Sequence, residues 1–317
     1  MLAIVCPGQG SQTPGFLSPW LELPGLREQA AALSSAADVD LVAHGTKSDA
    51  DTIRDTAVAQ PLIVGAGLLV LDALFADQPV TPVETTGVTA GHSVGEITAA
   101  AASGVLSHAD ALALVTVRGR AMARASTLTP AGMSAVLGGD PSEVLEVLER
   151  HGLTPANVNG AGQVVAAGTA EQLAALTADP PARARVIPLQ VAGAFHTEHM
   201  GPAVDAMREQ ASGLETHDPR VALLSNADGA VVRDGADVVA RLVTQVSNPV
   251  RWDLCMETMT SLGVTGLIEL APAGTLVGLA KRAMKGVELV ALKTPDHLEA
   301  ARALVRHHST ANPEDRP

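Results

Sequence analysis

Gly91-His92-Ser93-Val94-Gly95 fits the pattern G-x-S-x-G, between a run that reads as a strand, Thr86 to Ala90, and one that reads as a helix, Glu96 to Ser103. In that setting the pattern predicts a nucleophilic serine working through a covalent intermediate. A sharp strand-to-helix turn holds its middle residue in a strained conformation, and glycine on either side removes the Cβ atoms that would clash with it. The Ser93 hydroxyl then stands clear of the sheet at a helix N-terminus, where developing negative charge is favoured.

A serine hydroxyl needs an adjacent base. The chain has ten histidines. His92 is a poor choice, because a direct neighbour in a sharp turn points away from Ser93. His44, His108, His151 and His217 lie in polar stretches and read as solvated surface. His196 lies in the apolar stretch Val191 to Thr197 and follows the serine in the chain, the order that hydrolase-type enzymes use. It is the expected base. Arg118 stands in a mostly apolar helix, Ala111 to Ala123. It is either a surface cation, as Arg120 and Arg124 are expected to be, or a buried guanidinium that grips a substrate carboxylate through two parallel hydrogen bonds.

The elements that must position these groups follow an α/β order. Leu2 to Val5 reads as a buried strand feeding a Gly-rich loop, Gly8 to Gly15. Leu26 to Ala36, Asp110 to Ala125 and the almost wholly apolar Thr56 to Phe75 read as helices, the last one buried. Between about 133 and 190 the order becomes βαββαβ. Its strands are Met133 to Leu137, Pro155 to Asn159, Val164 to Ala167 and Arg185 to Leu189. Asp140 with Pro141 and Glu143 predicts a capping box on the first helix, and Thr169 with Gln172 caps the second. This is the split βαβ pattern of ferredoxin-like domains. The expected organisation is a discontinuous large α/β subdomain, residues 1–125 and 191–306, with a small inserted subdomain, 126–190, and a flexible polar tail, 307–317. Helices are expected through Met207, near 235–246 and at Thr275 to Met284, with strands at Val221 to Ser225 and Gly266 to Leu270.

Composition narrows the function. With 47% hydrophobic and 17% charged residues, the 317-residue chain can bury a large core. Aromatic residues are 2% and tyrosine is absent, which argues against base-stacking recognition. A net charge of -13 repels nucleic acid and anionic membranes at long range. Cys6 and Cys255 form neither a disulfide framework nor a zinc motif and read as small buried hydrophobes. No basic n-region opens the chain and no apolar run matches the roughly 20 residues that span a bilayer, so a cytoplasmic protein is expected. No metal cluster or dinucleotide fingerprint is present, so no cofactor is expected, and nothing suggests an obligate dimer.

Five segments together carry a resemblance: GQGSQ at Gly8 to Gln12, GHSVGE at Gly91 to Glu96, Arg118 to Met122, GAFHT at Gly193 to Thr197 and NPVRW at Asn248 to Trp252. In this order and spacing they resemble the malonyl-CoA:acyl carrier protein transacylases of fatty acid and, in some bacteria, polyketide synthesis. The resemblance runs from Leu2 to about Lys293 and implies an α/β-hydrolase-like large subdomain and a ferredoxin-like small one. It implies that Ser93 is acylated, that His196 is its base, and that Arg118 binds the malonyl carboxylate. It also implies that the backbone N–H groups of Gln9 and Val94 form an oxyanion hole, and that the Gln245 carbonyl orients the imidazole. His92, Asn159 and Met122 match pocket positions, although Asn157 to Gln163 departs from variants with Pro before the Gly.

Phe195 is either a steric gate against methylmalonyl groups or a core residue. Lys281, Arg282 and Lys285, expected on one helix, and Arg183 and Arg185 on the small subdomain are either solvated or a docking surface for the acidic carrier protein. The implied partners are malonyl-CoA and acyl carrier protein. Two rivals remain at this point: a serine esterase or thioesterase, and a non-catalytic carrier-binding protein.

Overall fold

Strand β1 (Leu2–Cys6) is buried along its whole length, as are β2 (Val88–Gly91) and β10 (Gly266–Glu269). Continuous apolar runs of this kind belong in a parallel sheet covered on both faces. The computed structural model describes residues 1–309 other than Asp77 and Ala192. It shows a mixed α/β fold with two sheets. The larger has six strands in the order β11-β10-β1-β2-β7-β8, where β7 is Ala222–Leu224, β8 Val231–Val232 and β11 Glu288–Ala291. All its pairings are parallel except that of the short edge strand β8. The period of two along β1 divides the core: Leu2, Ile4 and Cys6 join one cluster and Ala3 and Val5 the other.

The second sheet has five strands in the order β6-β3-β5-β4-β9. These are β3 (Ala131–Gly138), β4 (Thr154–Gly160), β5 (Gln163–Thr169), β6 (Ala184–Pro188) and β9 (Val250–Arg251). Its first four strands pair antiparallel, with helices Pro141–Arg150 and Ala170–Ala178 between them in the chain. The expected segment 126–190 is therefore not the whole unit. Strand β9 arrives from far along the chain and pairs parallel with β4, whereas Ser126 still ends the preceding helix, His108–Ser126.

The helices form where their ends are satisfied. Ser107 accepts from the Asp110 amide and starts the His108–Ser126 helix two residues ahead of the expected position. Thr169 and Gln172 make the reciprocal capping box. Asp140 caps its helix by accepting from the Ser142 and Glu143 amides, but Glu143 does not reach back. Its carboxylate accepts instead from the Ala182 amide, tying the helix to the approach to β6. The Thr56–Phe75 helix is long and apolar enough to cross a membrane, but 83% of its apolar window is buried inside the fold. It packs against the His108–Ser126 helix.

Helices Trp252–Ser261 and Leu298–Ser309 and strands β8, β9 and β11 were not anticipated. The last helix shows that His307 and His308, read as part of a flexible tail, are helical. The rest of that expected tail, 310–317, lies outside the described residues. Likewise Lys281 and Arg282 lie on the Thr275–Ala283 helix, whereas Lys285 falls in the turn beyond it. The helix stops at Ala283, with the buried Met284 as its cap, so it cannot carry all three cations.

Candidate active site

The turn from β2 into the Gly95–Ala102 helix places Ser93 at φ 53°. That left-handed conformation is uncommon for a residue with a side chain and costs on the order of 1 kcal/mol or more. Two glycines make room for the turn, though not by relieving Ser93 itself as expected. A Cβ on Gly91 would collide with the backbone of Gly95 and Glu96, and one on Gly95 with the backbone of Cys6 at the end of β1.

The Ser93 hydroxyl lies 2.7 Å from His196 Nε2. His196 also has a left-handed backbone, φ 62°, and is held by its amide on the Val246 carbonyl. Its Nδ1 is 2.9 Å from the Gln245 carbonyl oxygen. A carbonyl only accepts, so Nδ1 carries the proton and Nε2 is left to accept from the serine. No carboxylate is needed behind the imidazole. Burial, reinforced by the positive charge of Arg118, pushes His196 down to about 3. The ring is therefore neutral at neutral pH.

Arg118 is not a surface cation. It is 1% exposed. One terminal nitrogen donates to Gln60 Oε1 at 2.7 Å, and the other to Gln245 Oε1 at 2.6 Å and Ser93 Oγ at 3.3 Å. Burial lowers it to about 10, which leaves it charged at neutral pH. Arg120, by contrast, is exposed and paired with Asp38, and Arg124 is exposed as well.

A cavity of about 530 Å³ opens onto these groups between the two sheets. Its wall includes Ser93, His196, His92, Asn159, Phe195 and Met122. Arg118 itself does not line it; its neighbours Gln60, Ser93 and Met122 do. His92 turns away from Ser93, as expected, and its Nε2 meets Asn159 Oδ1 at 2.8 Å, joining the turn to β4. Trp252 packs edge-on against the same ring. Phe195 is 6% exposed, so it is packed and lines the cavity at once. Gln9 also lines the cavity, its side chain donating to Thr56 and the Arg54 carbonyl. Among the described residues the backbone amides of Gln9 and Val94 have no hydrogen-bond acceptor, which leaves both available to an incoming oxyanion. The cations Lys281, Arg282, Lys285, Arg183 and Arg185 are all exposed and outside the cavity.

Three residues at this site were not anticipated. Gln60 is a lone amide in an apolar helix, a signal that was present in the pattern. Glu96 lies inside the quoted GHSVGE motif and is 6% exposed. Burial raises it to about 7, against the opposing pull of its hydrogen bonds and of Arg118 and Arg241. Asn226 follows β7, and its Oδ1 accepts from the Ser93 amide at 2.8 Å. Nothing in its local sequence marks it.

The strand-to-helix serine, the neutral histidine and the buried guanidinium define an acyltransferase, and the acyl transferase domain family matches residues 3–309. A malonyl CoA-acyl carrier protein transacylase of Mycobacterium bovis is 52% identical over 299 residues, covering 94% of this chain and 98% of its own. The crystal structure of MCAT from Mycobacterium tuberculosis superposes with a TM-score of 0.91 at 51% identity, covering 95% of this chain and 99% of the other. A malonyl-transacylase in complex with a type II PKS acyl-carrier protein superposes with a TM-score of 0.88 at 28% identity, covering 96% and 99%. The chain belongs to this family, the malonyl CoA-acyl carrier protein transacylases.

Proposed function

We propose that this chain moves a malonyl group from malonyl-CoA to the phosphopantetheine thiol of acyl carrier protein by way of a malonyl ester on Ser93. The observation that carries the reading is the Ser93–His196–Gln245 chain of hydrogen bonds with the Arg118 guanidinium 3.3 Å from the hydroxyl. His196 takes the Ser93 proton as the oxygen attacks the thioester carbonyl. The oxyanion is stabilised by the amides of Gln9 and Val94; loss of one such donor costs about 10²–10³ in rate. Collapse expels CoA as the thiol, which recovers the proton from His196. The carrier thiol then attacks the ester with His196 again as base, so the kinetics are ping-pong. Arg118 pairs with the distal carboxylate, which selects a diacid and sets its carbonyl at the nucleophile. His92 and Asn159 shape the wall, and Met122 and Phe195 fill it. The scheme takes its nucleophile, base and oxyanion donors from this one chain acting as a monomer, without a cofactor.

The fold supports a finer description: an α/β-hydrolase-like large subdomain and a ferredoxin-like small one, the latter drawn mainly from 126–190 and completed by β9. The order β6-β3-β5-β4 with two intervening helices favours it. The reaction belongs to the cytoplasmic supply of fatty acid and polyketide synthesis. Carrier docking is assigned to Lys281, Arg282 and Lys285, because Thr275, Leu276 and Leu279 of the helix that carries the first two, and that Lys285 follows, line the cavity. Arg282 also reaches Gln163 across the mouth at 3.4 Å. Arg183 and Arg185 extend the positive surface along β6. Such a local patch would offset the repulsion between two acidic proteins. Intact-mass analysis after mixing with malonyl-CoA tests the function. One malonyl adduct is expected on the wild type and none on Ser93→Ala; an unmodified wild type would overturn the reading.

A further inference from the structure

We propose that Glu96 is a positioning residue for the transfer reaction: one buried carboxylate that, through Gln245 and Asn226, holds the Ser93 peptide and sets which face of the Gln245 amide meets Arg118. It rests on the reading of Ser93 as the acylated residue. Both polar groups of the Ser93 backbone are held by amide side chains. Its N–H donates to Asn226 Oδ1 at 2.8 Å, and its carbonyl accepts from Gln245 Nε2 at 2.8 Å. Both of these residues are tied to Glu96. The Asn226 backbone N–H donates to Glu96 Oε1 at 2.6 Å, and Gln245 Nε2 donates to Glu96 Oε2.

An amide nitrogen has two hydrogens. In Gln245 one goes to the Ser93 carbonyl and the other to Glu96, so its oxygen faces the other way, onto Arg118 at 2.6 Å. Turned over, the amide would set its oxygen against a carboxylate and a carbonyl and its hydrogens against a guanidinium. The carboxylate thus determines the amide's orientation, and the amide steadies the cation. Glu96 does not line the active-site cavity, so it acts through its neighbours.

Glu96→Gln preserves shape but leaves one acceptor where two donors converge. The wild-type malonyl adduct is the control; its absence would sink the functional reading and say nothing of Glu96. Given that adduct, kcat/KM for acylation by malonyl-CoA should fall about tenfold or more in Glu96→Gln, the usual scale for a hydrogen bond to a charged group. Acylation by acetyl-CoA, which has no carboxylate for Arg118, should fall much less. Glu96→Asp, which retains both acceptors on a shorter arm, should recover part of the malonyl preference. In a Gln245→Leu background the further change Glu96→Gln should leave the malonyl-to-acetyl ratio where it is. A malonyl-to-acetyl ratio equal to wild type in Glu96→Gln, whether from no loss or from an equal loss with both substrates, or additive effects in the double variant, would overturn the proposal. If Glu96→Gln does not fold, Gln245→Leu alone decides: a lowered ratio supports the relay, and an unchanged one overturns it.

Discussion

Replacing Arg118 by alanine removes the buried guanidinium proposed to distinguish malonyl from acetyl by charge. The guanidinium is 1% exposed, so its hydrogen bonds to a carboxylate form in a desolvated setting. Hydrogen bonds to charged groups contribute about 1.5–3 kcal/mol each. A two-point grip therefore predicts a loss of ~3–6 kcal/mol, or roughly 10²–10⁴-fold in kcat/KM for malonyl-CoA. Two effects modify the outcome. The Arg118 charge depresses His196, so its removal leaves a stronger base for any substrate that still binds. Gln60 Oε1 and Gln245 Oε1 lose their donor, which costs stability of about 1–3 kcal/mol for each acceptor left buried. Acylation rates are to be measured with malonyl-CoA and acetyl-CoA on folded protein. The expected pattern is a collapse with malonyl-CoA and an equal or higher rate with acetyl-CoA. Malonyl turnover within threefold of wild type would refute the clamp.

Phe195→Ser should raise kcat/KM for methylmalonyl-CoA relative to malonyl-CoA several-fold, by opening the wall beside His196; an unchanged ratio would make Phe195 a packing residue only. Charge reversal at Lys281 and Lys285 should raise KM for the carrier protein, more so at low salt, and leave KM for malonyl-CoA alone; steady-state kinetics with each substrate varied would show it. The depressed His196 gives a pH signature. Its folded-state value of about 3 lies below the ordinary 6.5, so its contribution to stability is present above pH 6.5 and is lost as the pH falls toward 3. Against wild type, His196→Ala should gain ~3 kcal/mol of stability between pH 7 and pH 4, to order of magnitude. Glu96, raised to about 7, changes stability in the opposite sense over that range but is common to both proteins. Urea unfolding at the two pH values provides the comparison, and equal differences at both would refute the buried, neutral imidazole.

Local pattern was enough for the strand-turn-helix around Ser93, the helices at Leu26–Ala37 and His108–Ser126, and the βαββαβ order. Each rests on a short-range period, a cap or a glycine pair that acts within a few residues. The pairing of Ser93 with His196 was legible from chain order, and its geometry followed. What stayed hidden was set by contacts between distant segments. A two-residue strand such as β9 has no period of its own and exists because β4 offers it an edge. The reciprocal box expected at Asp140 failed because the Ala182 amide, remote in sequence, competes for Glu143. The helix Leu298–Ser309, by contrast, buries Leu298, Ala301, Leu304 and Val305, a helical spacing that was open to view. Whether Arg118 faced water or protein could not be read from an apolar helix, because burying a guanidinium requires acceptors, and Gln60 and Gln245 come from two other helices. Asn226 and Glu96 meet only when β7 is laid beside β2. Side-chain chemistry and local backbone preference are written residue by residue, whereas a hydrogen-bond network that closes across the sheet exists only once long-range packing has brought its buried members together.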